Sequence, residues 1–170
     1  DQATQRALAL YREVGIAERL PRILYEAGVI GLFRTAYTEA MAHFDEGLRR
    51  ARELSDKQAE GALQSGIGVL LQERGELDDA IVHHAAAVRA FHDLGNRHRE
   101  ISALYYLGGS FLERGSHDEA IKLLARAFDR MGGAGMRRYE VLIAGALASA
   151  WAIVGQLETA HSWLARGREA

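Results

Sequence analysis

Residues 107–124 have the sequence LGGSFLERGSHDEAIKLL, and this segment indicates the architecture of the chain. Its apolar residues recur at roughly three- to four-residue spacing on either side of Gly115-Ser116, which predicts two helices joined by a tight turn. Similar segments occupy residues 67–84 and 147–164, and a more divergent one occupies residues 27–44. These segments start 40 residues apart, so the sequence predicts a tandem array of helical hairpins.

Small residues recur with the same 40-residue period, at the positions where the helices of a hairpin would cross. Helices approach closely only where glycine or alanine lies at the crossing point. A single hairpin cannot bury both of its faces, so we expect successive hairpins to stack into a superhelix. Two sets of equivalent small residues carry this prediction: Ala40, Ala80, Ala120 and Ala160; and Gly28, Gly68, Gly108 and Ala148. A third set, Gly75, Gly115 and Gly155, is expected at the turn that ends each first helix.

Capping residues and helix breakers set the expected boundaries. Asp56 and Asn96 are suitable N-caps, and Ser116 with Glu119 has the spacing of a capping box. Pro21 fits the first turn of a helix and delays that helix relative to its equivalents. No sustained alternation supports a strand. We expect a leading helix at about 2–14, first helices at about 20–34, 57–74, 97–114 and 137–154, and second helices at about 37–54, 77–94, 117–131 and 157–169.

The composition excludes several classes of protein. The 170 residues include no cysteine, which excludes disulfides, thiolate metal sites and cysteine nucleophiles. A net charge of −2 provides no overall basic field for nucleic acid or an anionic membrane, and the longest apolar run, 141–155, is too short to span a bilayer. We therefore expect no nucleic-acid or membrane partner. We expect a single domain over 1–170 of a longer cytoplasmic protein, with a trailing helix at 1–15 and repeats at 16–55, 56–95, 96–135 and 136–170.

The paired segments carry a known repeat signature. Leu107-Gly108-x-x-Phe111, followed by Ala120-x-x-x-Leu124, resembles the L-G-x2-Y and A-x3-F signature of the tetratricopeptide repeat (TPR) family. The repeats here are longer than the standard ~34 residues. In this they resemble kinesin light chain and the helical effector regions of bacterial signalling and transcriptional regulators. The resemblance implies an all-α fold, a right-handed α-solenoid of four TPR-like hairpins plus a leading helix.

No pattern typical of a catalytic or metal site is present. His43 and His83 occupy equivalent positions, but no acidic residue beside them has metal-site spacing. We expect these two and the adjacent His84 to be solvated or partly buried histidines on the outer helices. The glycine cluster at 132–135 lacks the lysine and the preceding strand of a phosphate-binding loop and is expected to be an inter-repeat turn. We therefore expect no enzyme activity, no cofactor and no metal.

In TPR proteins the first helix of each hairpin lines a concave face where partners bind, so the resemblance implies a binding groove. Helical spacing identifies the residues on the face directed away from the second helix. The lysine and asparagine that clamp a carboxylate in chaperone-binding members are missing from these positions, so we expect no chaperone-tail binding. The candidates are Arg22, Tyr25, Val29, Leu32 and Phe33; Ala62, Ser65, Val69, Gln72 and Glu73; Ser102, Tyr105, Gly109, Leu112 and Glu113; and Leu142, Gly145, Ser149 and Ile153.

This mostly apolar groove supports two hypotheses of different kinds. The first is a non-catalytic scaffold that binds a protein or peptide segment, within a bacterial signalling or regulatory protein. The second is an effector domain that senses a ligand or peptide and controls an attached ATPase, kinase or DNA-binding domain. Catalysis would need a titratable pair in the groove, for which Glu73 and Glu113 are the candidates. A further alternative is that tight curvature closes the groove on itself.

The last predicted hairpin is apolar on more sides than a terminal repeat usually is. We expect either a following repeat or self-association through this C-terminal repeat. The residues that would otherwise be partly exposed are Trp151, Ile153, Trp163 and Leu164.

Overall fold

The computed structural model describes Arg6, residues 17–131 and residues 136–169. These residues contain no strand; after a 3-10 turn at Ala17–Arg19 they form eight α-helices. The predicted leading helix, apart from Arg6, and the glycine cluster at 132–135 lie outside the described residues. The helices are α1 Leu20–Phe33, α2 Tyr37–Glu53, α3 Lys57–Glu73, α4 Leu77–Asp93, α5 Arg97–Glu113, α6 His117–Met131, α7 Arg137–Ile153 and α8 Leu157–Glu169.

The helices pack as four consecutive hairpins. Each odd-numbered helix packs along the even-numbered helix that follows it, and α2, α4 and α6 also pack against the first helix of the next hairpin. The first helices touch one another directly, α1 with α3, α3 with α5 and α5 with α7. They therefore form an inner layer, with the second helices outside them. The arrangement is an all-α helical repeat solenoid, as the sequence predicts.

The small residues lie where the helices approach most closely. Ala80 and Ala120 are completely buried, as the packing prediction requires. A Cβ atom added to Gly68 would lie 2.6 Å from the His84 ring, and one added to Gly108 would lie 2.7 Å from Cγ of Leu124. Either contact is too short for a real side chain. Glycine in the first helix therefore gives room to a large residue of the second helix.

Left-handed backbone ends most of the helices. Gly75 and Gly115 have φ of 77° and 86°, a conformation that glycine adopts without strain. Thr35 occupies the equivalent turn of the first hairpin with φ of 56°, and Ser55 has the same value between the first two hairpins. Two residues with side chains thus hold a conformation that costs them energy.

The helix starts confirm most of the predicted caps. The Asp56 carboxylate accepts a hydrogen bond from the Ala59 backbone N–H at 2.9 Å, and the Asn96 side chain accepts one from the Arg99 backbone N–H at 3.2 Å. The capping box at Ser116 is wrong. The Ser116 hydroxyl accepts hydrogen bonds from the Arg114 guanidinium instead, because this arginine at the end of α5 reaches over the turn.

Pro21 lies in the first turn of α1, as predicted. The α-helix begins at Leu20 after the 3-10 turn, and its 14 residues make it shorter than the 17-residue first helices of the other hairpins. Proline has no backbone N–H to donate, so the first turn is the part of a helix that tolerates it.

One carboxylate ties three helices together. The Glu100 side chain of α5 is almost completely buried. It pairs with Arg126 and Arg130 of α6, at 3.2 Å and 2.7 Å, and its Oε1 lies 3.2 Å from Nδ1 of His92 at the end of α4. A buried charge is costly unless it is paired in this way, so this cluster fixes how α4, α5 and α6 meet.

The expectation for His84 is wrong. Its side chain is completely buried, whereas His43 and His83 are partly buried as expected. Position 84 is equivalent to Phe44 and Leu124, which are both core residues, so the repeat places His84 in the core as well.

The last hairpin is the most exposed apolar part of the described structure. Trp151 and Trp163 are partly buried, while Ile153 and Leu164 are 59% and 44% exposed. Leu164 therefore does not fill the core as its equivalents Phe44 and Leu124 do. Separately, none of the helices among the described residues is both long and apolar enough to cross a bilayer.

Candidate functional site

The inner layer encloses an open groove with a volume of about 710 Å³. The first helices of all four hairpins contribute to it, together with the turn after α1 and the end of α4. The groove is open, so tight curvature does not close it. Its lining consists of Tyr25, Val29, Leu32, Phe33, Thr35, Tyr37, Ala62, Ser65, Gly66, Val69, Glu73, Phe91, Arg99, Ser102, Tyr106, Arg138 and Tyr139.

About half of the candidate residues come together in this groove. On α1 they form an apolar wall that ends at Phe33, whose ring is 86% exposed. An exposed phenylalanine beside a concave surface is a feature of binding sites rather than of bare surface. The candidates that line the groove are Tyr25, Val29, Leu32, Phe33, Ala62, Ser65, Val69, Glu73 and Ser102.

Arg22 lines an adjoining recess of about 440 Å³ between α1 and α3. Tyr25, Ala62 and Arg99 line both the groove and this recess, so the two form one continuous trough. Arg22 itself is paired with Glu26 at 3.0 Å on the same helix.

The remaining candidates lie outside the groove. Gln72 donates to Glu113 at 2.5 Å and accepts from the Ser110 hydroxyl at 2.9 Å, so a polar bridge joins α3 and α5. This bridge occupies the Gln72 amide and one oxygen of the Glu113 carboxylate; Glu73 lines the groove, whereas Glu113 does not. Gly145 is partly buried on α7. The other candidates are partly buried on α5, namely Tyr105, Gly109 and Leu112, or exposed on α7, namely Leu142, Ser149 and Ile153.

Eight residues that line the groove are not among the candidates, and four of them, Arg99, Tyr106, Arg138 and Tyr139, make its inner wall more aromatic and more charged than expected. Arg99 and Arg138 lie in the first turns of α5 and α7, one turn before the first candidates chosen there. The candidate face of α5, extended by one turn towards its start, includes Arg99, and that of α7 includes Tyr139. The repeat pattern does not predict Tyr106, because its equivalents in neighbouring hairpins include Gly66, which has no side chain.

The two rims of the groove differ in charge. Arg99 and Arg138 lie on the rim formed by the starts of the first helices, and within the described parts of the chain neither has an ion-pair partner. The Arg99 guanidinium lies over the Phe91 ring at 5.7 Å. Glu73 lies on the opposite rim, at the end of α3. A segment that carries charge would therefore bind in one preferred orientation.

Tyrosines form the wall beside the basic rim. The Tyr139 hydroxyl is 2.6 Å from the Ser102 hydroxyl, and the Tyr105 ring lies edge-on to both Tyr106 and Tyr139. Burial raises the pKa of Tyr25 above its usual range, and the Arg99 guanidinium opposes this only in part. Burial likewise raises the pKa values of Tyr105 and Tyr106. These hydroxyls are therefore protonated at neutral pH and can donate hydrogen bonds.

The groove contains no arrangement that resembles a metal centre. Across the described ranges, no group of three or more histidine or acidic side chains lies close enough together to hold a metal ion. Nδ1 of His83 lies 2.6 Å from Oε1 of Gln64, within hydrogen-bond distance, and burial lowers the pKa of His83. The polar chemistry of the groove is thus that of hydrogen bonding and charge.

Comparison with known proteins agrees with this geometry. The tetratricopeptide repeat family model matches residues 59–132, which lie in α3 to α6 and the residue after it. No curated protein gives a significant match to the sequence.

Solved structures extend the likeness over almost the whole chain. BtubC (BKLC) from P. vanneervenii is 14% identical with a TM-score of 0.81, covering 98% of this chain and 72% of that one. The apo form of RapI is 15% identical with a TM-score of 0.64, covering 98% and 73%. TPR-like repeats from Podosopora anserina that are assigned to a kinesin light chain are 14% identical with a TM-score of 0.67, covering 99% and 93%. At these identities the likeness shows the fold alone.

Proposed function

We propose that this chain, whose residues 59–132 match the tetratricopeptide repeat family model, is a non-catalytic scaffold whose groove binds a segment of a protein partner. The observation that carries this proposal is the groove itself, a trough of about 710 Å³ with an apolar wall ending at the exposed Phe33. Apolar surface of this kind is stabilised when a partner covers it.

The lining also suggests what kind of segment fits. Val29, Leu32 and Val69 offer contacts to apolar side chains, while tyrosine hydroxyls and the guanidinium groups of Arg99 and Arg138 offer donors at the other rim. A peptide with apolar residues on one side and an acceptor or acidic group on the other would satisfy both. Tyrosine and arginine are the residue types that most often anchor such interfaces.

Selection from a displayed random-peptide library against the purified chain tests the proposal. The groove variant is Val69→Glu, which places a carboxylate on the apolar wall. The control is Val82→Glu, which adds the same charge on the outer helix α4, where the valine is 62% exposed. Circular dichroism establishes that both variants keep their helix content.

Peptides recovered with the wild-type chain should bind Val69→Glu at least about tenfold more weakly and bind Val82→Glu as they bind the wild type, by fluorescence anisotropy. Equal binding by the two variants would place the binding surface elsewhere. Failure to recover any peptide above the background of an unrelated protein would contradict peptide binding by this groove.

The alternative function is an effector domain that senses a small ligand. The volume of the groove favours this alternative, because it lies within the ~300–1,000 Å³ typical of small-molecule sites. A thermal-shift screen of metabolites separates the two functions. A sensor would be stabilised by one compound, and Val69→Glu would remove the effect; a scaffold would respond to peptides and to no metabolite.

We further propose that the scaffold operates in the cytoplasm, within a bacterial signalling or regulatory protein. The effector alternative adds control of an attached ATPase, kinase or DNA-binding domain. Contact through the last hairpin, by a following repeat or by self-association, stays a prediction. The exposure of Ile153 and Leu164 supports it.

A further inference from the structure

Tyr106 belongs to the groove but rests on an unusual core residue. Its ring stacks on that of His84, with the ring centroids 5.6 Å apart and the planes inclined by 13°. Tyr106 lines the groove, whereas His84 is completely buried behind it on α4. The imidazole is thus the surface against which this groove tyrosine lies.

The histidine stands where the neighbouring hairpins have apolar side chains, namely Phe44 and Leu124. Phe44 of the first hairpin is covered by Gly66 of the second hairpin, where an added Cβ would lie 2.8 Å from the phenyl ring. Gly66 is the repeat equivalent of Tyr106. The array therefore places the Phe44 ring beneath a glycine and the His84 ring beneath a tyrosine.

Stability alone does not favour histidine at this position. Both ring nitrogens are buried without a hydrogen-bond partner in the described structure, and an unpartnered buried polar atom destabilises the fold. On the side of α3 the ring is confined by Gly68, where an added Cβ would lie 2.6 Å away. The imidazole is therefore held in place, and its one evident contribution is a flat face for Tyr106.

We propose that His84 is a positioning residue of the groove, which fixes the orientation of Tyr106 by stacking and so sets the aromatic wall that a bound segment meets. The effect of His84 on binding rests on the proposed function, whereas its effect on the orientation of the Tyr106 ring is independent of that function. Separate experiments can therefore test the two effects.

The first test needs no ligand. The Tyr106 ring resonances are assigned by carbon–proton NMR in the wild type, in His84→Leu and in His84→Phe. Leucine lacks a flat face and phenylalanine keeps one, so His84→Leu should alter the nuclear Overhauser effects between the Tyr106 and Tyr105 rings, and His84→Phe should keep them close to the wild type. Leu124→Met is the matched control, since it alters the equivalent core position below Gly108, and it should leave the Tyr106 signals in place. Unchanged nuclear Overhauser effects between the Tyr106 and Tyr105 rings in His84→Leu would overturn the proposal.

The second test uses the peptides recovered by selection on the wild-type chain. His84→Leu should bind them about 2- to 12-fold more weakly, the range expected from loss of one aromatic pair, and His84→Phe should restore the affinity. Wild-type affinity in a folded His84→Leu variant would overturn the role in binding. Absence of any binding peptide would count against the proposed function, while the NMR experiment still decides the orientation. If His84→Leu does not fold, His84→Met removes the flat ring in the same way.

Discussion

One buried side chain should contribute strongly to the loss of stability of this fold in acid. Burial, and then the neighbouring His83, lower the pKa of His84 from 6.5 to about 4. The unfolded chain therefore binds this proton more tightly than the folded chain does. The contribution of neutral His84 to stability is complete above the unfolded pKa and is lost as the pH falls through 6.5 towards 4. With 1.36 kcal/mol for each pKa unit, the full loss is about 3 kcal/mol.

Urea denaturation of the wild type and of His84→Leu measures this loss. The comparison at pH ~7 and pH ~4.5 isolates the histidine, because acidic residues titrate alike in both proteins. We expect the wild type to lose about 2.5 kcal/mol more than the variant over this interval. At neutral pH the variant should be no less stable, since leucine leaves no unpartnered nitrogen. Equal losses in the two proteins would refute the reasoning.

Three further predictions concern stability and are measured by urea denaturation. Asp56→Ala should cost about 1 kcal/mol through loss of the N-cap. Ser116→Ala should cost less than about 0.5 kcal/mol, because Ser116 does not cap α6; equal costs would contradict the observed caps. Thr35→Gly should raise the free energy of unfolding by about 1 kcal/mol, because glycine adopts the positive φ without strain, whereas Gly75→Ala should lower it. A lower free energy of unfolding in Thr35→Gly would show that the turn is not strained. Glu100→Gln should cost about 1–2 kcal/mol, because it leaves two partly exposed arginines unpaired, and an unchanged midpoint would show that the ion pairs contribute nothing.

The architecture was predictable because the residues that recur every 40 positions are the small residues that helix crossings and tight turns require. Ala80 and Ala120 could only be small at a helix crossing, and the turns at Gly75 and Gly115 ended each predicted helix within one residue of its observed end. Repetition made each of these signals stronger than it would be in a single hairpin.

The groove was only partly predictable, since its lining depends on the relative rotation of stacked helices. The period identifies which positions are equivalent, but equivalent positions on α1, α3 and α5 do not all face the same space in a curved array. Tyr25 and Ser65 therefore line the groove while Tyr105 does not. Helical spacing within one helix cannot supply this information.

The burial of His84 was predicted wrongly for a different reason. His84 shares its repeat position with Phe44 and Leu124, so the period assigned it to the core, whereas its polarity suggested the surface. The packing constraint outweighed the polarity. In a repeat protein, position in the period is thus a better guide to burial than side-chain chemistry.

Chemical-shift mapping tests the groove most directly. Methyl-labelled chain is titrated with a peptide recovered by selection, and the signals of Val29, Leu32 and Val69 are followed together with that of Val82 on the outer helix α4. We predict that the three groove residues shift in a saturable manner while Val82 stays in place. Shifts centred on Val82 and the outer helices, with the groove methyl signals unmoved, would contradict the proposal that the concave groove is the binding surface.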